Sequence, residues 1–338
     1  MSAKVTMTSI AKKLGVSKNT VSLALRGAGG ISDSTRKRII ETAEKMGYRY
    51  RPSGKSSESR NLCLVIPRSA QNAVDFFGVI QMGIEDEAKK NNISTVLHYY
   101  DDTSDDFQIP LCIREGMISG IITLGRVGKG VIQALRSYGL PVVMVDNYLD
   151  DLEADCVITD NISGACTVTE YLIDNGHRNI AFFGDIKAAA SFYDRYLGYR
   201  KAMEMHGIEI QGKSSVLLEC SENILSDDAV RLVKQFSDKG WFPSAFVCCN
   251  DAAAILLCKV LSQLGMNVPG QVSVVGFDDI SAASNIIPEL TTMRVSKEWM
   301  GRKAVRKLMS RISKDDGIAE KLLLSADLIE RSSVRKLM

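Results

Sequence analysis

The first candidate functional residues in the sequence lie at the start of a short predicted helix. Ser17 is a helix-capping residue type, and it precedes Lys18 and Asn19, whose side chains would face solvent. A lysine can donate to guanine O6 and N7, and an asparagine can pair with adenine through two hydrogen bonds. Thr20 and Ser22 carry hydroxyl groups that suit phosphate oxygens. This cluster predicts a helix that reads base edges in the major groove.

The elements that would position these residues are three short helices with clear start and stop signals. Thr6 begins the first helix and Gly15 ends it, Ser17 begins the second, and the third is predicted over residues 33–46. The link between the first two helices is only three residues long and contains glycine, which is typical of a helix-turn-helix. Thr6 and the free amide groups of the first helix suit phosphate contacts. A small helical bundle for protein contacts is the alternative.

The charge of the chain is divided unevenly between its beginning and the remainder. Residues 1–60 hold 13 Lys or Arg and four Asp or Glu, a net charge of +9, whereas the remaining residues carry −7. A basic head on an acidic body is typical of a nucleic-acid-binding protein. Charge alone leaves open a solvated basic surface with no ligand. We also expect no transmembrane helix, no secretory signal and a cytoplasmic location.

Catalytic and metal chemistry find no support in the residue patterns. The eight cysteines show no CxxC pair, and the three histidines show no HExxH motif. Residues 125–130 lack the spacing and the hydroxyl residue of a phosphate loop. We interpret the cysteines as small buried hydrophobes. The sequence therefore predicts no enzyme, no catalytic residues, no metal and no cofactor.

A polar linker at residues 51–60 separates the head, residues 1–50, from a body of alternating strands and helices. Continuous apolar runs predict parallel strands buried on both faces, at 62–66, 94–99, 120–124, 141–146, 156–160, 179–184, 214–219, 244–249 and 272–277. This number of strands favours two subdomains. Ligands of such sheets bind at the carboxyl ends of the strands, where the sequence places Asp146, Asp185, Asn250, Asp251, Asp278 and Asp279.

Several segments of the chain carry a family resemblance in a consistent order. The head segments are residues 5–25 and 31–39, and the body segments are GHRNIAFFG (176–184), RYLGYR (195–200), PSAFVCCND (243–251), VVGFDDI (274–280) and PELTT (288–292). Together they resemble the lactose-repressor (LacI/GalR) family over nearly the whole chain.

The resemblance implies a fold and a domain organisation. The fold is an all-α helix-turn-helix head plus an α/β periplasmic-binding-protein-like body of two doubly wound parallel-sheet subdomains. Three crossovers would join the subdomains near Asp160, Thr291 and Lys321. The implied subdomains are residues 61–159 with 293–321, and residues 160–292 with 322–338.

The resemblance also implies an effector site in the cleft between the subdomains. The implied contacts are Arg195, Asp278 and either Asp251 or Asn250, with Asp146 and Phe77 on the walls. Ionised Asp accepts hydroxyl hydrogens and Arg donates a planar fork, so the set suits a polyol. Two alternatives remain open at this point. Asp278 would instead cap a helix, and Arg195 would form a surface ion pair with Asp194 or Asp185.

The head departs from the family pattern in two places. Leu23 stands where the family more often has Arg, and it could only pack on a thymine methyl or a sugar. Arg26, one turn later, is interpreted as a phosphate contact, with a base contact as the alternative. The linker is about three residues shorter than usual and residues 51–60 contain no Leu, so we predict weak or absent intercalation by a hinge helix.

These observations favour a homodimeric transcriptional regulator, a repressor on a pseudo-palindromic double-stranded operator. A small molecule, with a sugar as the favoured class, would control its affinity for DNA. Nucleobases and sugar phosphates remain open as effectors, as does the direction of the response. A solute-binding protein with the same body and no regulatory role is the alternative, and a doubly wound enzyme is a weaker one.

Overall fold

The computed structural model describes residues 5–25, 31–46, 48, 61–104, 107–210, 215–216, 230, 233–234, 242–313 and 317–337. The chain forms two compact units, Met1–Ser59 and Arg60–Met338. Among the described residues, no helix is both long enough and apolar enough to cross a membrane.

Capping residues define the helices of the first unit, which are α1 Met7–Leu14, α2 Lys18–Leu25 and α3 Asp33–Lys45. Thr6 and Ser9 cap α1 reciprocally, because each hydroxyl accepts the other residue's amide, at 3.2 Å and 2.9 Å. Gly15 ends α1 in the left-handed region, with φ 67°. Ser17 Oγ accepts the Thr20 amide at 3.0 Å, so α2 begins where the sequence predicts it.

The three helices of this unit share a small apolar core. Its buried side chains are Ile10, Ala11, Val21, Ala24, Ile39 and Ala43. They recur at helical spacing, so the apolar face of each helix turns inward and the polar start of α2 stays exposed. The helix-turn-helix prediction is confirmed, although α3 ends at Lys45 and not at Met46.

The second unit contains two six-stranded sheets. The strands are β1 Asn61–Pro67, β2 Ser94–Tyr100, β3 Gly120–Leu124, β4 Val142–Val145, β5 Asp155–Thr159, β6 Ile180–Phe183, β7 Ser215–Val216, β8 Ala245–Cys248, β9 Ser273–Asp278, β10 Thr291–Arg294, β11 Lys321–Leu324 and β12 Asp327–Ile329. The sheet orders are β11-β5-β4-β3-β1-β2 and β12-β10-β9-β8-β6-β7. Only the β10–β12 pairing among the described strands is antiparallel. The predicted α/β body with parallel sheets is confirmed.

Helices cover these sheets in two lobes. They are α4 Val79–Lys90, α5 Leu111–Arg114, α6 Lys129–Arg136, α7 Asn161–Asp174, α8 Ala190–Met205, α9 Asp251–Gln263 and α10 Lys297–Ser313. We call β1–β5, β11, α4–α6 and α10 the N-lobe, and β6–β10, β12 and α7–α9 the C-lobe. The predicted strand at 214–219 is described only at Ser215–Val216, and the predicted linker at 51–60 lies outside the described residues.

Within the described residues, the chain crosses between the lobes three times. It leaves the N-lobe at Asp160, which caps α7, and it returns between β10 and α10. The third crossing lies between β11 and β12. Two predicted boundaries are therefore too early in the sequence. Residues 293–294 pair with β9 in the C-lobe, and residues 322–324 pair with β5 in the N-lobe.

Three of the strands were not expected from the sequence. These are β10, β11 and β12, each only three or four residues long. Their apolar stretches have at most three residues, as in Leu322–Leu324 of β11, which is too short to predict a strand without its neighbour. They are also the segments that lie beside the second and third crossings.

Two glycines bring α4 against α10 in the N-lobe. A Cβ atom on Gly83 would lie 2.2 Å from the Glu298 carbonyl oxygen, and one on Gly301 would lie 2.2 Å from the Ile80 carbonyl oxygen. Neither contact leaves room for a larger residue. This close packing fixes the start of α10, including Lys297, against the ends of the sheet strands.

Candidate functional site

The first half of α2 forms the candidate DNA-reading surface. Ser17, Lys18 and Asn19 are exposed, and Thr20 is half-buried with its hydroxyl 2.8 Å from Ser17 Oγ. The capping bond from Ser17 directs the first turn of α2 and leaves the Lys18 and Asn19 side chains in solvent. The two base-reading candidates are therefore adjacent and accessible.

The remaining predicted DNA contacts differ in their exposure. Thr6 is exposed at the start of α1, where its hydroxyl belongs to the cap, and Ser22 is half-buried on α2. Leu23 is also half-buried, and it is not among the hydrophobic residues packed into the core of the described head. Arg26 lies outside the described residues.

Arg195 on α8 is the centre of the candidate effector site. Its side chain is 2 % exposed. Nε donates to Asn161 Oδ1 at 2.9 Å and Nη1 donates to the Cys249 carbonyl at 2.7 Å. Nη2 lies 2.9 Å from Asp278 Oδ1, and the guanidinium carbon lies 3.9 Å from the centre of the Phe277 ring. A buried, multiply bonded guanidinium is not the surface ion pair that the sequence left open.

Asp278 ends β9 in a strained backbone conformation, with φ 109°. Its carboxylate pairs with Arg195, whereas the following 3₁₀ turn is capped by Ile280, so Asp278 is not a helix cap. The Lys297 ammonium donates to the carbonyls of Asp278 and Asp279. Burial raises the pKa of Asp278, and the charges of Arg195 and Lys297 oppose that shift.

Asp146 approaches the same site from the N-lobe. It follows β4 with φ 55°, and its Oδ1 is buried without a hydrogen-bond partner. Burial raises its pKa to about 7, the Arg195 charge lowers it, and the Asp278 charge raises it. The cluster therefore joins a carboxylate of one lobe to an ion pair of the other.

Asn250 and Asp251 hold local structure in the C-lobe. Asn250 Oδ1 caps α9 by accepting the Ala253 amide at 2.9 Å. Asp251 Oδ1 accepts from the Thr292 hydroxyl at 2.5 Å, and Oδ2 accepts from the Ile280 amide at 2.9 Å. Burial raises the pKa of Asp251 to about 7. Both carboxylate oxygens are engaged, so Asp251 positions the segment that carries Asp278.

Phe77 lies in a π-helical turn, Val74–Gly78, between β1 and α4. The ring is half-buried and stands edge-on to Phe76 at 5.1 Å between centroids. It also covers Gly125, just after β3, because a Cβ there would lie 3.2 Å from the Phe77 ring. Phe77 is therefore part of the wall at the carboxyl ends of the N-lobe strands.

Besides the two bonds from Lys297, three further hydrogen bonds that the sequence did not predict join the lobes in the described part of the body. The Ser281 hydroxyl donates to Asp75 Oδ2 at 2.5 Å, and Arg126 Nη1 donates to the Ala188 carbonyl at 3.0 Å. The Tyr148 hydroxyl donates to Asp194 Oδ1 at 2.7 Å. Asn161 and Lys297 were also missed, and no local sequence signal marks any of these residues.

Two family matches bear on the chain as a whole. Residues 6–51 match the family described as "Bacterial regulatory proteins, lacI family", and residues 169–334 match the "Periplasmic binding protein-like domain". The head, at residues 6–51, carries the DNA-binding domain of the LacI family. Members of this family are DNA-binding transcriptional regulators and not enzymes, as the sequence predicted. The alternative of a solute-binding protein without a regulatory role is not favoured.

Relatives of the chain match between 82 % and 98 % of its length. The "Probable HTH-type transcriptional repressor ExuR" of Bacillus subtilis is 29 % identical, over 98 % of this chain and 99 % of its own. A solved "transcriptional regulator CelR-cellobiose complex" is 24 % identical with a TM-score of 0.71, covering 98 % of this chain and 100 % of its own. A LacI-family regulator from Enterococcus faecium with bound ribose is 23 % identical with a TM-score of 0.69, covering 82 % of this chain and 100 % of its own.

Proposed function

We propose that this LacI-family regulator is a homodimeric repressor that binds a pseudo-palindromic operator. A small molecule that binds in the cleft of the body decreases or increases its affinity for the operator. The observation that carries the proposal is the cluster of Asp146, Arg195 and Asp278. Asp146 belongs to the N-lobe and the ion pair belongs to the C-lobe. A ligand that contacts both sides of this cluster sets the angle between the lobes.

The DNA side of the proposal assigns a role to each head residue. Lys18 and Asn19 contact base edges, because both are exposed at the start of α2. Leu23 packs on a thymine methyl or a sugar. The phosphate contacts are Thr6, Ser17, Thr20, Ser22 and Arg26.

The effector side of the proposal favours a sugar. Ionised carboxylates accept hydroxyl hydrogens, and the guanidinium of Arg195 donates to hydroxyl oxygens. Asn250 contributes its amide nitrogen, Phe77 forms a wall, and Asp251 holds the Asp278 segment in place. Structures of this fold with bound cellobiose or ribose support a sugar as occupant of the cleft.

The coupling between effector and operator follows from the geometry of a dimer on DNA. Two half-sites are read together only when the recognition helices are about 34–36 Å apart. The chain enters the N-lobe at β1 directly after the linker, so a change in lobe angle alters the spacing of two heads. A coupling free energy of about 1–3 kcal/mol is typical of such systems.

The test begins with selection of bound duplexes from a random DNA pool by the full-length protein. We expect a pseudo-palindromic sequence to be enriched, and its affinity to change at least fivefold when a sugar from a panel is added. Sedimentation of the complex should show two protein chains for each duplex. Recovery of no common sequence would refute the repressor function, and a single bound chain would refute the dimer.

A further inference from the structure

The cluster of Asp146, Arg195 and Asp278 contains acceptor oxygens that protein groups do not fully satisfy. Within the described residues, Asp146 Oδ1 is buried and has no hydrogen-bond partner. Asp278 Oδ1 lies 2.9 Å from Arg195 Nη2 and has no other polar partner among the described groups. The cluster therefore presents buried acceptor oxygens on both lobes that a ligand would satisfy.

The charges of the nearby cations, in contrast, are already balanced by protein groups. Arg195 uses Nε and Nη1 for hydrogen bonds within the C-lobe, and its charge is paired with Asp278. The Lys297 ammonium is turned to two backbone carbonyls. Arg126 is exposed, and it donates across the lobes to the Ala188 carbonyl.

We infer that the effector is an uncharged polyol that donates a hydroxyl hydrogen to Asp146, and that the cleft rejects the uronate and phosphate derivatives of the same sugar. This inference rests on the proposed function, because it concerns the ligand of that site. A carboxylate or phosphate placed beside Asp146 would meet a like charge in a buried setting, with no uncommitted buried cation among the described groups to compensate. A hydroxyl group supplies the donor that Asp146 lacks and adds no charge.

Neutral polyols and anionic sugars should have opposite effects on the protonation of Asp146. The charged groups that face it are Arg195 on α8 and Asp278 on β9, with Lys297 on α10 behind Asp278. Burial raises the pKa of Asp146 to about 7 in the absence of a ligand. A hydroxyl donor favours the ionised carboxylate, lowers this pKa and releases a proton on binding. An anion raises the pKa and binds with proton uptake.

The sign of the pH dependence follows from this linkage. A neutral polyol binds more tightly as the pH rises, by about tenfold between pH 6 and pH 8 for a free pKa of about 7, and levels off above it. An anion binds more weakly over the same interval. The two outcomes have opposite slopes and do not depend on which sugar skeleton is preferred.

The experiment is a calorimetric titration of the full-length protein with matched ligands. The probes are glucose, glucuronate, glucose 6-phosphate, glucosamine, ribose, ribose 5-phosphate and cellobiose, each at pH 6, 7 and 8 in two buffers of different ionisation enthalpy. We expect only neutral sugars to bind, with proton release. Tighter binding of a uronate, a phosphate or the amine than of its neutral counterpart would overturn the inference. Binding of no probe, with no effect on operator affinity, would instead count against the proposed effector function and the inference with it.

A substitution of Asp146 tests whether its carboxylate causes the pH dependence of ligand binding. Asp146→Asn keeps the size of the side chain and removes its charge, so the pH dependence should disappear and affinity at pH 8 should fall at least tenfold. Asp150→Asn, on the same loop but exposed, is the control and should behave as the unmodified protein. An unchanged pH slope in Asp146→Asn would contradict the inference. Operator binding by each variant verifies that the protein is folded, and the buffer comparison on the unmodified protein decides the question even if Asp146→Asn does not fold.

Discussion

Arg195 connects three separate segments of the C-lobe through one side chain. Its hydrogen bonds and ion pair reach the start of α7, the residue after β8 and the end of β9. A guanidinium can do this because its donors form a rigid planar fork, whereas an ammonium is a single point of charge. The arrangement leaves Asp278 and the ring of Phe277 in fixed positions beside the cleft.

Arg195→Lys should therefore abolish most of the effector response without affecting the head. Losing two or more buried hydrogen bonds leaves unsatisfied groups and should lower the free energy of unfolding by about 1–3 kcal/mol. Effector affinity, measured by calorimetry, should fall about tenfold or more. Arg200→Lys, an exposed position on the same helix, is the control and should change neither quantity. An unaltered effector affinity in Arg195→Lys would exclude Arg195 from the site.

At the DNA-reading surface, Lys18→Ala and Asn19→Ala should each weaken operator binding by about 1–3 kcal/mol. Both residues are exposed at the start of α2, so neither substitution should unfold the head. Binding to random DNA should change little for Asn19→Ala. A salt series separates base contacts from phosphate contacts, because lost phosphate contacts reduce the salt slope. Lys13→Ala, exposed in the last turn of α1, is the control, and equal losses on operator and random DNA would contradict the assignment.

At the scale of elements, the packing of α4 on α10 links the wall of the cleft to the start of α10. Gly83 and Gly301 let the two backbones touch, and Lys297 stands at the first residue of α10. The same helix lies beside the second crossing between the lobes. The position of the Asp278 carbonyl thus depends on a helix contact in the other lobe.

Gly301→Ala should lower the free energy of unfolding by about 1–3 kcal/mol, because the added methyl group must push α4 away. The matched control is Gly130→Ala near the start of α6, where a Cβ would meet nothing within 4 Å. That substitution should be neutral or should stabilise by up to about 1 kcal/mol. Chemical denaturation measures both, and similar values for the two variants would show that the α4–α10 contact is not tight.

At the scale of the whole molecule, hydrogen bonds between the lobes add to an apolar cluster that contains residues of both lobes. Tyr148 is the most connected of these residues, since its hydroxyl donates to Asp194 while the Lys321 ammonium lies 3.4 Å from the centre of its ring. Lys321 begins β11, beside the third crossing. A bond of this kind stabilises one angle between the lobes over others.

Tyr148→Phe should lower the population of the lobe arrangement in which Tyr148 donates to Asp194. The change removes one donor and leaves the buried Asp194 carboxylate with an unsatisfied oxygen, at a cost of about 1–3 kcal/mol to this arrangement. Effector affinity should fall fivefold or more on this basis, and small-angle scattering should show a larger radius of gyration. Tyr138→Phe, which is 39 % exposed, is the control. Unchanged scattering and affinity would show that Tyr148 does not govern the lobe angle.

The helix-turn-helix head and the parallel α/β body are predictable from the amino-acid sequence alone. Both depend on signals between near neighbours, such as the Thr6 and Ser17 caps, the Gly15 stop and the apolar runs of β1, β3 and β9. It also singled out Arg195, Asp278 and Asp146, through the family motifs and through the ends of buried strands.

The contacts among these residues, in contrast, become visible only in the folded chain. Tyr148 and Asp194 are 46 residues apart in the chain, and Asp75 and Ser281 are 206 residues apart, so no local pattern connects either pair. The partners of Asp251, the unpaired oxygen of Asp146 and the late crossings at β10 and β11 likewise depend on which strands become neighbours. Such pairing depends on packing between segments that are distant in the chain, and local propensities do not encode it.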